Sequence, residues 1–178
     1  MDASTGAASG VRSILSGGCL GRTWLKIEGR YDFNFPRELV FALLVDPEAL
    51  KGCMPGCKRF DPIGPDEYEV TLEMGVAGIK GTYSGKAKIA DQDPPNRLKL
   101  VVEGSGTPGF VRGEGVLTLE QNGEKTVVVV SGDATAGGLI ANVGQRMLGG
   151  VAKMIIGQFF ECMRGQAASR AGASANRA

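Results

Sequence analysis

The chain has 178 residues, of which 43% are hydrophobic and 22% charged, and this length suits one domain with a substantial core. Its 20 basic and 19 acidic residues give a formal net charge of +1, so no global field favours nucleic acid as a partner. No histidine is present, which excludes Ser-His and Cys-His nucleophile pairs and the commonest zinc ligand. We therefore expect no catalytic residue, no metal site and no cofactor, and any membrane contact would be peripheral because no apolar run reaches about 20 residues.

The two ends of the chain lack hydrophobic periodicity. Residues 1–22 are rich in Ser, Gly and Ala and lack the apolar run of a secretory signal. They predict either a disordered leader or a start codon assigned too early. Residues 167–178 have a similar composition and predict a disordered tail, so one folded domain is expected over residues 23–166.

The first element is an amphipathic strand. Between residues 25 and 35, apolar residues and glycine alternate with charged and polar ones, which is typical of a half-buried antiparallel strand. Pro36 suits the first turn of a helix, because its missing N–H costs nothing there. A second short helix is predicted from Pro47 to about Gly52.

The middle of the chain alternates with period two and predicts about six antiparallel strands. Asn122-Gly123 marks a hairpin between the last two of them. The acids of the strand 68–76 should face the lysines of the strand 79–89, because both sets alternate on the outward face. From Leu139 to Arg164 the period becomes helical. The glycines of this helix are unfavourable by about 1 kcal/mol each and suggest close approach to the sheet or a bend.

This order of elements predicts an α+β fold in which a curved antiparallel sheet wraps around a long C-terminal helix. Glycines recur on strand faces that alternate with charged residues, and such a sheet bends easily and leaves volume unfilled. The alternative is that the glycines serve only curvature and the helix fills the space. The residues expected to line a cavity for an apolar ligand are Tyr31, Phe33, Tyr83, Leu100, Val102, Leu117, Met147, Val151 and Ile155.

Two thiols flank a tight turn after the second short helix. The loop Cys53, Met54, Pro55, Gly56 and Cys57 is predicted to lie at the mouth of the cavity. Its cysteines are expected to be small buried hydrophobes in a reduced cytosolic setting, and a redox pair or a partner-contacting loop is the alternative. Zinc would need further ligands that the sequence does not offer nearby.

Charged residues give weaker signals. Glu103, Glu114 and Asp133 are the acids that could enter the cavity and serve as a base. The outer face of the long helix is predicted to carry Arg146, Lys153, Ile156, Phe160 and Arg164, and it could rest on an anionic membrane or on a partner. An ordinary solvated helix face is the alternative.

Several motifs, taken in this order, resemble the family of the carbon monoxide dehydrogenase G subunit. They are Leu25-Lys26-Ile27-Glu28-Gly29, Asp46-Pro47-Glu48, Cys53-Met54-Pro55-Gly56-Cys57, Asp93-Pro94-Pro95 and Phe159-Phe160. The resemblance covers about Leu25 to Arg164 and implies a START-like helix-grip domain. It also implies service to subunits of a molybdenum-containing carbon monoxide dehydrogenase or a related hydroxylase.

Three functions remain open at this point. The first is a non-enzymatic accessory protein that binds a quinone or lipid and recruits its enzyme to the membrane, which implies a cytoplasmic location, peripheral on the inner face of the cell membrane. The second is an assembly factor that acts by protein contact alone, and the third is a small cyclase or hydrolase.

Overall fold

The structure, a computed structural model, describes residues 22–75 and 80–175. Its elements, in chain order, are β1 (Arg22–Phe33), α1 (Arg37–Leu44), α2 (Pro47–Cys53), β2 (Cys57–Gly64), β3 (Glu67–Met74), β4 (Gly81–Asp93), β5 (Arg97–Gly106), β6 (Gly109–Asn122), β7 (Lys125–Gly137), a 3₁₀ helix (Gly138–Val143) and α3 (Gln145–Ala175). The predicted leader, apart from Arg22, lies outside the described residues.

One antiparallel sheet contains all seven of these strands, in the order β1-β7-β6-β5-β4-β3-β2. Strands β2 to β7 lie next to one another in chain order. The first strand, β1, pairs with the last strand, β7, so β1 and β2 are the two edge strands of the sheet. The long helix α3 packs against this curved sheet. The predicted α+β helix-grip architecture is thus confirmed.

Close approach between neighbouring strands explains part of the curvature. Gly85 of β4 faces Gly104 of β5 in the register. A Cβ atom built on Gly85 would lie 1.8 Å from the carbonyl oxygen of Glu103, so only glycine fits there. The glycines of this strand pair therefore allow the backbones to approach more closely than side chains would permit.

The register also confirms the expected meeting of acids and lysines on the outer face. Glu67 lies opposite Lys88 and Glu69 opposite Lys86 across β3 and β4. Opposite charges at such cross-strand positions contribute a few tenths of a kcal/mol each, about as much as other favourable pairs.

Buried apolar residues form two clusters at different ends of α3. The larger cluster contains α1, α2, the ends of several strands and the C-terminal half of α3, with Phe33, Phe160 and Met163 at most 2% exposed. The smaller cluster joins Leu25 and Tyr83 of the sheet to residues around the start of α3. The N-terminal half of α3 therefore lies over the less crowded end of the sheet.

Two predicted boundaries differ from the structure. The strand β2 was not identified, because Cys57–Gly64 alternates poorly and contains Pro62. Residues 167–175, predicted to be a disordered tail, continue α3 instead, and Ala167 is fully buried. At Ala167 the helix packs closely against the core, and only a small side chain fits at such a contact. The small residues of this segment therefore indicate close packing, although the sequence analysis read them as a sign of disorder.

Contacts from α2 hold the C-terminal half of α3 in place. A disulfide joins Cys53 at the end of α2 to Cys162 of α3, closing a sequence separation of 109 residues. Asp46, which caps α2 through a hydrogen bond from the Glu48 amide at 3.0 Å, also forms an ion pair with Arg170. This hydrogen bond from Arg170 is the main cause that lowers the pKa of the Asp46 carboxyl.

Candidate functional site

An apolar cavity of about 220 Å³ lies between the sheet and the N-terminal half of α3. Its walls come from β1, β3, β4, β5, β6 and β7, from the 3₁₀ helix and from one side of α3. The helix side is formed by Leu148, Val151, Ala152 and Ile155. The cavity exists because the residues that α3 presents here are short compared with the aromatic residues it presents further along.

Four of the residues predicted to line a cavity do so. They are Tyr83, Val102, Val151 and Ile155. The others lie elsewhere. Phe33, Leu100 and Leu117 pack in or against the larger core cluster, and Tyr31 stacks on Phe160 with the ring centroids 4.2 Å apart. Met147 is 53% exposed. Leu148, the next residue, faces the sheet, and the turn of the helix directs Met147 away from it towards solvent.

Several lining residues were missed by the sequence analysis although the period-two pattern already contained most of them. Leu25 and the inward residues of β3 and β4 belong to alternating apolar faces that were recognised as such. The additional apolar lining residues are Leu25, Met54, Val70, Leu72, Met74, Ala87, Val111, Ala136, Ile140, Leu148 and Ala152, and Gly85, Lys86, Glu103 and Gly104 also border the cavity. Which inward residues border empty space depends on the sheet's curvature, and no local pattern carries that information.

Three residues with polar side chains border the cavity, and Tyr83 is the buried one, whereas Lys86 and Glu103 are exposed. Burial raises the pKa of the Tyr83 hydroxyl, so the phenol stays neutral at physiological pH. The other walls are mostly apolar and supply apolar contact to a bound molecule.

The loop between α2 and β2 touches this cavity through Met54. The structure corrects the expectation for the cysteines, because Cys53 is bonded to Cys162 rather than reduced. Cys57 is the free, half-buried thiol that opens β2, and burial raises its pKa. Gly56 has a φ of 72°, and its carbonyl accepts a hydrogen bond from the Glu73 amide at 2.8 Å, which fixes the loop against β3.

The predicted outer face of α3 is only partly exposed. Arg146 and Lys153 are exposed, but Phe160 is 2% exposed and contacts both Tyr31 and Phe33. Arg164 is tied down, since its Nε donates to the Asp32 carbonyl at 2.7 Å. The surface prediction for Phe160 was therefore wrong, because β1 lies against the side of the helix that was expected to face solvent.

The acids considered as bases lie on the outer face of the sheet. Glu114 forms an ion pair with Lys99 at 3.0 Å, and Glu103 one with Arg112 at 3.6 Å. Asp133 is exposed. Glu103 borders the cavity next to Gly104, but its side chain is exposed. No carboxylate is thus placed inside the cavity among the described residues.

Large apolar side chains are exposed near the N-terminal half of α3. Leu139 of the 3₁₀ helix is 66% exposed, and Met147 and Met154 of α3 are also exposed. The two methionines are seven residues apart, about two helical turns, so they share one side of α3. In the part of the chain that the structure describes, no helix is both long and apolar enough to cross a bilayer.

Comparison with known proteins identifies relatives of this fold and sequence. A family model described as the carbon monoxide dehydrogenase G subunit (CoxG) matches residues 29–168. A solved structure of a conserved protein from Geobacillus kaustophilus is 40% identical, with a TM-score of 0.79, over 82% of this chain and 96% of that chain.

More distant structures share the fold alone. An aromatase/cyclase from Streptomyces sp. R1128 is 17% identical with a TM-score of 0.64, over 84% of this chain and 96% of that chain. A protein from Thermus thermophilus is 16% identical with a TM-score of 0.61, over 82% and 98% of the two chains. No curated protein sequence matches the chain at a significant level.

Proposed function

This chain belongs to the CoxG family, that of the carbon monoxide dehydrogenase G subunit, and we propose that it is a non-enzymatic accessory protein that binds a lipophilic molecule beneath α3. The partner is a molybdenum-containing carbon monoxide dehydrogenase or a related hydroxylase. The ligand is a quinone or a lipid, and the protein carries it between the bilayer and the enzyme or brings the enzyme to the membrane.

The observation that carries this proposal is the chemistry of the cavity. Most side chains around it are aliphatic, Tyr83 adds a neutral, buried hydroxyl, and the charged residues Lys86 and Glu103 are exposed. Apolar walls favour a lipophile, because burial of apolar surface provides the binding energy. At about 220 Å³ the cavity suits a ring or a chain segment rather than a whole long-chain molecule.

The enzymatic alternative gains no support from the geometry. Glu103 and Glu114 are ion-paired on the outer face, and the sequence provides no histidine to act with Tyr83. The likeness to an aromatase/cyclase is one of fold at 17% identity and carries no activity with it.

Exposed apolar and basic side chains around the cavity support a peripheral membrane contact. Leu139, Met147 and Met154 expose apolar area, and Arg146 and Lys153 lie on the same half of α3. Apolar side chains combined with nearby basic residues bind anionic bilayer surfaces. We propose a cytoplasmic location at the inner face of the cell membrane, where the Cys53–Cys162 disulfide would be an exception to the usual reduced state of cytosolic thiols.

The test is binding of N-phenyl-1-naphthylamine, an apolar fluorescent probe, to the wild type and to Val151→Trp. Val151 lines the cavity, so the indole should fill it and reduce affinity by about tenfold or more. Gln158→Trp is the matched control, because Gln158 is exposed on the same helix and should leave binding unchanged.

Native mass spectrometry of protein purified from membrane-containing cells then identifies the natural ligand. A stoichiometric quinone or lipid would support the carrier function. Absence of any bound lipophile, together with no saturable binding of the probe, would contradict the proposal and favour an assembly factor that acts by protein contact.

A further inference from the structure

A second, smaller cavity of about 80 Å³ lies between β1 and α3, beside the main cavity. Leu25 and Ala152 border both cavities, so the two spaces lie side by side. We call this second space the β1–α3 cleft. Its remaining lining residues are Lys26, Ile27, Glu28, Gly29, Tyr31, Val130, Gly149, Lys153 and Ile156.

The chemistry of the β1–α3 cleft differs from that of the main cavity. Two lysines, Lys26 and Lys153, and one glutamate, Glu28, border the cleft. Glu28 is paired with Lys26 at 3.2 Å, which leaves Lys153 as the cation on the helix side. β1 is also the last strand of the sheet on this side, so one row of its backbone N–H groups has no strand partner among the described residues.

One end of the cleft is closed by aromatic packing. The Tyr31 ring bends back over Gly29, where an added Cβ atom would lie 2.8 Å from it, and stacks on Phe160. The opposite direction leads past Ala152 towards the main cavity. A ligand that occupied both spaces would pass beside Ala152 and would reach solvent beside Lys153, which is exposed.

We propose that the β1–α3 cleft is a subsite for the polar, hydrogen-bond-accepting end of an amphiphilic ligand whose apolar part occupies the main cavity. The inference rests on the proposed ligand-binding function and adds an orientation to it. Lysine ammonium groups and backbone N–H groups are donors, so they select an acceptor such as a quinone carbonyl or a carboxylate. The limited volume of the main cavity requires part of a longer ligand to lie outside it.

Two adjacent glycines of α3 offer a matched pair of variants for the test. Gly149 borders the cleft, whereas Gly150 is exposed and borders neither cavity. A Cβ atom added to either residue meets nothing within 4 Å, so Gly149→Leu and Gly150→Leu should both fold. Leucine also favours the helix over glycine at both positions. Only Gly149→Leu should fill the cleft.

The experiment measures affinity for decylubiquinone, decanoate and N-phenyl-1-naphthylamine in the wild type and both variants. Gly149→Leu should weaken binding of an amphiphile by about tenfold while Gly150→Leu leaves it unchanged. Binding of the compact naphthylamine should stay within about twofold in both variants, because it fits in the main cavity alone. Loss of both amphiphiles identifies a general acceptor, and loss of decanoate alone identifies a carboxylate.

Lys153→Gln supplies a second readout. It should weaken decanoate binding several-fold and reduce its salt dependence, because the charge rather than the shape is changed. If Gly149→Leu and Gly150→Leu bind both amphiphiles equally well, the subsite is refuted while naphthylamine binding still supports the main cavity. If no probe binds to the wild type, the proposed function fails and the subsite with it.

Discussion

The two halves of α3 lie on the same sheet but are held in different ways. The C-terminal half buries Phe160, Met163 and Ala167 and is joined to α2 by the disulfide and by the pair of Asp46 with Arg170. The N-terminal half presents short aliphatic residues to a cavity and exposes two methionines and Gly150 to solvent. The contacts that stabilise α3 are therefore concentrated in its C-terminal half, and the N-terminal half is packed less tightly.

The glycines of the N-terminal half sharpen this contrast. Close approach to the sheet was one expected reason for Gly149, Gly150 and Gly157, and that prediction was wrong. A Cβ atom at any of the three would have no neighbour within 4 Å. Only Gly144, with a φ of 96° between the 3₁₀ helix and α3, is required by its backbone conformation. The others weaken the helix without a packing benefit.

The largest expected effect comes from truncating the aromatic residue of the anchored half. Phe160→Ala should lower the free energy of unfolding by about 3–5 kcal/mol, since the ring is buried against Tyr31 and Phe33. Ile155→Ala, which borders the main cavity, should cost only about 1–2 kcal/mol because its side chain has fewer neighbours to lose. Urea denaturation measures the free energy of unfolding of both variants. Equal losses of stability would contradict the claim that the two halves of α3 are packed differently.

The disulfide should matter next. Replacing both Cys53 and Cys162 with alanine should lower the free energy of unfolding by about 3 kcal/mol, because the bond restricts a long loop of the unfolded chain. Dithiothreitol should destabilise the wild type by a similar amount and leave the double variant unchanged. Cys57→Ala is the control, because Cys57 is not part of the disulfide. An equal loss of stability in this variant would show that replacing any cysteine destabilises the protein and that the disulfide is not the cause.

A glycine replacement in the N-terminal half should have the opposite sign. Gly150→Ala should stabilise the protein by about 1 kcal/mol, because alanine favours the helix and its methyl group meets nothing within 4 Å. The thermal midpoint should rise accordingly. A fall would show that the glycine makes a contact or a bend on which the fold depends.

The smallest expected effect depends on pH. Asp46→Asn retains a capping oxygen for α2 but removes the charge that faces Arg170, and it should cost about 0.5–1 kcal/mol at neutral pH. The folded-state pKa of Asp46 lies below its ordinary value of 3.8. The stabilisation is therefore present above that value and is lost as the pH falls through the depressed pKa. Wild type and variant should become equally stable in strong acid, and a difference that persists there would contradict this origin.

The sequence predicted the strands with clear alternation and their approximate order, because a half-buried strand repeats with period two. It misplaced Phe160 because one helical face was assumed for all of α3. Val151 and Phe160 are about two and a half turns apart, so they point in opposite directions from the axis. Both are covered, since the curved sheet contacts one side of the helix at Val151 and β1 contacts the other side at Phe160.

The disulfide between Cys53 and Cys162 could not be predicted from the sequence, because it also depends on how the elements pack in three dimensions. Cys57 is nearer in the chain, but partners in a disulfide are chosen by the positions of Cα atoms, which here are 5.3 Å apart across α2 and α3. The sequence predicted some of the residues that line the cavity, such as Tyr83 and Val102, because they lie on the inward faces of strands with period-two alternation. The unfilled volume itself follows from the fit of α3 to the sheet.

Hydrogen exchange along α3, with and without a bound lipophile, tests the central claim most directly. Amides of residues 145–157 should exchange faster than those of residues 158–175 in the free protein, and ligand should protect the first group selectively. Uniform slow exchange over the whole helix, with no change on adding ligand, would contradict the account.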